Sequence, residues 1–166
     1  MAKFYTPSYS LVGASGNARD RAARDVLNWC VEGPLSEGFC SNGGTCLVVT
    51  GTSGLVLGMN TILDGLPILY VRREEEARTC HGSRVQALTR AGAGAEFHRY
   101  VFLDDCIETG ATLRRVRQAL DADMRFLAAL LYGAPDSWLD GHSRPPCKLK
   151  TSLFEGEHSP VDIYHL

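Results

Sequence analysis

The stretch Val101-Phe-Leu-Asp-Asp-Cys-Ile-Glu-Thr-Gly-Ala-Thr112 decides the fold. An apolar run ends in two adjacent acids, Asp104 and Asp105, and a loop of small residues then opens a segment with helical spacing. In that segment, residues 112–120, Leu113, Val116 and Leu120 share one face. The reading is a strand, a short loop and a helix. Similar apolar runs lie on either side. Cys46-Leu-Val-Val49 leads into the Gly-containing turn Thr50-Gly-Thr-Ser-Gly54 and then a helical stretch over residues 55–63. Pro67-Ile-Leu-Tyr-Val71 and Phe126-Leu-Ala-Ala-Leu-Leu-Tyr132 read as further buried strands. Strands alternating with helices predict an α/β fold, a mostly parallel sheet flanked by helices on both faces.

Beyond this core the pattern weakens. Residues 1–16 are polar and read as an irregular arm. Residues 17–31 have helical spacing, with Ala22, Val26, Trp29 and Cys30 on one face and Asn17 as the cap. Residues 32–44 read as a loop broken by Gly33-Pro34 and Asn42-Gly43-Gly44. Residues 72–99 read as one long loop, the kind that commonly serves as a lid, with a short helix around residues 85–91. Residues 133–166 are Pro-rich and carry no clear pattern. The organisation expected is one domain over residues 1–166, divided into arm and helix (1–44), core (45–132) and tail (133–166).

Composition narrows the class. Over 166 residues the hydrophobic fraction is 45% and the charged fraction 22%, near globular averages, which argues against a disordered, collagenous or coiled-coil chain. A net charge of −2 gives no general attraction to nucleic acid or anionic membrane. The apolar runs are far shorter than the roughly 20 residues of a spanning helix, and residues 1–10 have no apolar run of signal-peptide type. No two of the six cysteines show zinc-knuckle or redox-dithiol spacing, although Cys40 and Cys46 flank a turn. Without an export signal, all six are expected to be reduced thiols in a cytoplasmic protein.

Chemistry concentrates at the motif around Asp104. In open parallel sheets, ligands bind beyond the carboxyl ends of the strands. The amides of Thr109, Gly110, Ala111, Thr112 and Leu113 form a helix N-terminus, a ready anion site, with two Thr hydroxyls as extra donors. Asp104 and Asp105 only accept hydrogen bonds when ionised, which suits sugar hydroxyls or Mg²⁺-bound waters. The ligand implied is a phosphorylated sugar.

The residues from Leu103 to Leu113 resemble the phosphoribosyl pyrophosphate (PRPP) motif of the type I phosphoribosyltransferases, and the order of elements over residues 45–132 is similar to that family's core. The resemblance implies a small cap made by the chain ends and transfer of phosphoribosyl from PRPP to a nucleobase, with Mg²⁺ as cofactor and a homodimeric assembly. It assigns PRPP to Asp104, Asp105 and residues 109–113, with both acids also holding Mg²⁺ through water. It assigns the pyrophosphate to Arg72 and to the loop at Thr52, Ser53 and Gly54, with a cis peptide at Thr52–Ser53. The run Val71-Arg-Arg-Glu-Glu-Glu-Ala-Arg-Thr-Cys-His-Gly82 is similar to the lid of the orotate phosphoribosyltransferases, with Arg in place of Lys at two positions. That makes Arg73 and Arg78 charge-neutralising residues and His81 a proton-transfer candidate. Glu108 stands where the 6-oxopurine enzymes carry an acid that moves a proton at the base, and Trp138 stands where relatives stack the base.

Two other readings compete. One is a PRPP- or nucleotide-binding regulator without turnover, which the missing lid lysines favour. The other is a phosphosugar hydrolase with Asp104 or Asp105 as nucleophile. That class wants Asp-x-Asp after the strand, and adjacent acids on a strand point in opposite directions.

Overall fold

Six strands form one sheet in the order β3-β2-β1-β4-β5-β6, in a computed structural model that describes residues 16–39, 44–58, 65–74, 83–88, 96–104, 110–131 and 162–165. The strands are β1 (Thr45–Thr50), β2 (Ile68–Val71), β3 (Val85–Ala87), β4 (Arg99–Asp104), β5 (Arg125–Leu131) and β6 (Asp162–His165). The helices are α1 (Gly16–Glu32), α2 (Ser36–Phe39), α3 (Gly51–Gly58) and α4 (Ala111–Ala119). All neighbouring strands run parallel except β3, which pairs antiparallel with β2. The α/β expectation holds at this level.

Strand alternation divides the core into two layers. Leu47 and Val49 of β1, Ile68 and Tyr70 of β2, and Val101 and Leu103 of β4 pack on one face with Ala23, Val26 and Cys30 of α1 and Leu57 of α3. Cys46 and Val48, Leu69 and Val71, and Tyr100 and Phe102 face the other way, against Leu113 and Val116 of α4. Both faces of β1 are therefore buried along its whole length, which is why these strands read as unbroken apolar runs. Tyr100 and Phe126 add a ring pair at 5.4 Å and 57°, worth about 0.5–1.5 kcal/mol beyond its buried area. A register shift between Tyr100 and Val101 leaves Leu127 unmatched on β5.

Several expectations need correction. Helix α1 starts at Gly16, so Asn17 lies inside the first turn instead of capping it. Its buried residues Ala23, Val26 and Cys30 tie the segment 16–32 to the core. The loop expected over residues 32–44 contains α2, whose Phe39 meets Trp29 edge-on at 6.3 Å. The helix expected at residues 85–91 is instead strand β3 at its start. Its backbone completes the open edge of β2, with Leu69↔Ala87, Tyr70↔Gln86 and Val71↔Val85 in register. The long loop 72–99 is thus cut by a hairpin, closed by Arg72 N–H on the Arg84 carbonyl at 2.9 Å and Leu88 N–H on the Ile68 carbonyl at 2.9 Å. The tail expected to serve in a cap supplies β6 to the sheet, beside β5. Residues 1–15 lie outside the described residues.

Among the described residues no helix is long and apolar enough to cross a membrane. Cys30 and Cys46 are free and buried. The Cys46 thiol reaches the Arg99 carbonyl at 3.7 Å, and burial pushes both thiols up to about 12 from 9.0. Cys40, Cys80, Cys106 and Cys147 lie outside the described residues.

Candidate functional site

The strand order places a topological switch point between β1 and β4. The chain leaves β1 through α3 to reach β2 on one side, and leaves β4 through α4 to reach β5 on the other. The two helices pack on opposite faces of the sheet. Such a divergence opens a crevice at the carboxyl ends of the two strands. Two helix N-termini start there, each carrying roughly half a positive charge.

At the end of β4, Asp104 is half-buried and stands one residue beyond the Val49↔Leu103 pair, level with Thr50. Helix α4 begins after Gly110, which is buried and takes φ 70°. Among the described residues no side chain caps the helix at Gly110, and the bond from Arg114 N–H to the Gly110 carbonyl, 3.0 Å, closes the first turn. The amides of Ala111, Thr112 and Leu113 precede that bond and point out of the helix end. Leu113 contributes through its backbone only, because its side chain is fully buried in the core. Thr112 is half-buried at the crevice.

At the end of β1, the expected pyrophosphate loop is the first turn of a helix. Gly51 takes φ 68°, which lets the chain pass from strand to helix without a loop, and α3 runs from Gly51 through Thr52, Ser53 and Gly54. The cis peptide expected at Thr52–Ser53 is absent: this bond is trans within the helix. Gly54 allows α3 to lie close on β1, since a Cβ there would stand 3.0 Å from Val49 Cβ. Thr50, buried, donates its hydroxyl to the Val71 carbonyl at 2.7 Å and so ties the ends of β1 and β2 together.

Beyond β2 the crevice is lined by Thr50, Val71, Arg72, Arg73, Glu74, Arg84, Thr112, Arg115 and Val116, and its volume is about 30 Å³. That is room on the scale of one or two waters at the floor of a crevice open to solvent. Arg72 is half-buried, and its Nη2 donates to Gln86 Oε1 at 2.6 Å. Arg73 is exposed and lies over the strand-to-helix corner: its Nη2 would be 3.2 Å from a Cβ on Gly51.

The structure therefore brings Arg72, Arg73, Asp104 and residues 110–113 to the carboxyl end of the sheet. Arg78, His81, Asp105, Glu108, Thr109 and Trp138 lie outside the described residues, as do the side chains of Thr52 and Ser53. Two lining residues escaped the sequence reading. Arg115 lies three residues after Thr112, the spacing that puts both on one helix face. Arg84 had no such signal, because only the β2–β3 pairing brings it beside Arg72.

Among the described residues no group of three or more His, Cys, Asp or Glu side chains comes together. Mg²⁺ does not need such a cage: it commonly keeps several waters and takes one or two carboxylates beside substrate phosphates. Asp104, a half-buried oxygen donor at the crevice, fits that mode. No protein-family model matches the chain, and no curated protein matches it.

Proposed function

We propose that the chain transfers the phosphoribosyl group of PRPP to a nucleobase, releasing pyrophosphate and forming a nucleoside 5′-monophosphate. One observation carries the reading: an acid-tipped strand and two helix N-termini meet at one switch-point crevice bordered by arginines. In this reading Asp104, with Asp105, orients the ribose hydroxyls. The amides of residues 109–113 hold the 5′-phosphate at the start of α4. The amides of Thr52, Ser53 and Gly54, with Arg72 and Arg73, hold the pyrophosphate. Breaking the bond between the anomeric carbon and pyrophosphate leaves an oxocarbenium-like centre and builds negative charge on the leaving group. Fixed donors stabilise that charge most when water is excluded. Asp104 and Asp105 would hold Mg²⁺ through water, and the ion would add charge neutralisation. Arg78 and His81 act from the segment between β2 and β3, Glu108 moves a proton at the base, and Trp138 stacks on it.

The test is a panel of orotate, uracil, adenine, hypoxanthine, guanine and xanthine with PRPP and Mg²⁺, following pyrophosphate release. One base should support release, and Asp104→Asn together with Asp105→Asn should abolish it. Unchanged release in that double variant would remove the sugar-binding role. Arginine in place of the two lid lysines supports a second reading, a PRPP- or nucleotide-binding regulator. It gains ground if PRPP binds and no base is turned over.

A further inference from the structure

We infer that Arg84 and Arg115, which belong to none of the three motifs, are anion-binding residues that make the crevice selective for a diphosphate over a monophosphate. The inference deepens the transferase reading and rests on it for the identity of the diphosphate ester.

The crevice is unusual in charge and in hydrogen bonding. Among the described residues, four guanidinium groups, from Arg72, Arg73, Arg84 and Arg115, line it with one carboxylate, Glu74. The formal surplus of three positive charges on these side chains, two once Asp104 at the end of β4 is counted, is no less than the charge of about −1.5 to −2 on a phosphate monoester at neutral pH. It matches a diphosphate better. Arg72 is steadied from behind: Nη2 donates to Gln86, while the main chain bonds to Arg84. With that side fixed, Arg72 Nη1 is buried and has no hydrogen-bond partner among the described residues, and the same holds for Arg84 Nε. Buried charged donors without acceptors are costly, and folded proteins rarely keep them unless a function or a ligand uses them. Both residues line one crevice, with Thr50 and Thr112 beside them. Guanidinium forks suit phosphate oxygens. Arg115 approaches from α4, where its Nε reaches back to the Ala111 carbonyl at 3.4 Å. That contact holds the side chain along the helix toward its N-terminus.

The reading is tested by calorimetric titration of the full chain with inorganic pyrophosphate and, separately, with inorganic phosphate, each without Mg²⁺ or a base. Pyrophosphate should bind about tenfold or more tighter than phosphate. Arg84→Gln and Arg115→Gln should each weaken pyrophosphate about tenfold, the loss expected for a charged hydrogen bond. Arg114→Gln, an exposed residue of α4 that does not line the crevice, should leave binding unchanged. Thermal melts keep the outcome clear of folding defects. Pyrophosphate should raise the midpoint of the wild-type chain more than that of Arg84→Gln at the same concentration. Equal affinity for the two anions, or wild-type pyrophosphate affinity in both crevice variants, overturns the inference. Failure of every base to react, with selective pyrophosphate binding intact, rejects the transferase and leaves this site standing. Turnover that survives in both variants with unaltered pyrophosphate affinity does the reverse.

Discussion

Replacing Gly51 by alanine tests the corner at which β1 becomes α3. Two effects follow from the structure. The φ of 68° lies in the left-handed region, where a Cβ crowds the backbone at a cost of about 1–2 kcal/mol. The new Cβ would also stand 3.2 Å from Arg73 Nη2. Arg73 is exposed, so its guanidinium relieves that contact by swinging away, with little effect on stability. The backbone term dominates. For a chain of this size 1 kcal/mol moves the melting midpoint by about 2–4 °C, so Gly51→Ala should melt about 2–8 °C below wild type by circular dichroism. Gly16→Ala, where a Cβ meets nothing within 4 Å, is the control and should show no such loss. Repeating the change in an Arg73→Ala background separates the two effects, and the loss should persist there. The reasoning fails if Gly51→Ala melts with wild type, or if its loss vanishes once Arg73 is shortened.

Other outcomes can be read from single sites. Thr45 is 1% exposed and its hydroxyl has no partner among the described residues. Thr45→Val should therefore raise stability by about 1–2 kcal/mol in urea unfolding, since the change removes an unsatisfied buried group and keeps the shape. Gly110→Ala should destabilise α4 by about 1 kcal/mol, and Gly110→Asn by less, because asparagine visits the left-handed region more readily; paired melts decide it. Cys30 and Cys46 should resist a thiol reagent near neutral pH in the folded chain and react fully in urea. Their folded pKa of about 12 lies above the ordinary 9.0, so the neutral thiols favour the fold fully below pH 9.0. That contribution is lost as pH rises from 9.0 toward 12. Each thiol adds a slope of about 1.4 kcal/mol per pH unit over that window. The alkaline fall in the urea midpoint should be shallower in Cys30→Ala.

What could be read beforehand depended on burial. β1, β2, β4 and β5 bury residues on both faces, so each shows as a short apolar run, told from a buried helix by its length and flanking turn residues. α4 shows through the spacing of Leu113, Val116 and Leu120. β3 is three residues long and half-buried, too short for alternation to register. It is a strand because β2 offers it an edge. β6 is likewise specified by what β5 presents to it. The site divides along the same line. Asp104 and the start of α4 are contiguous in the chain and were legible as a motif. The arginine crevice is assembled from a strand end, a hairpin partner and a helix face, and proximity of that kind has no signature in local spacing.

The place of β6 bears on how the chain acquires its structure. Ala128 is aligned with Asp162, and Leu131 with His165, so this ladder forms only after a long intervening stretch has been looped back. Distant pairings of that kind slow folding. Until the loop closes, β5 presents an open row of main-chain donors and acceptors, a template for adhesion to other molecules. Proteolysis between residues 132 and 161 would leave β6 held to β5 by this ladder alone. Recombinant yield should thus depend more on an intact connection to β6 than on any residue of the crevice.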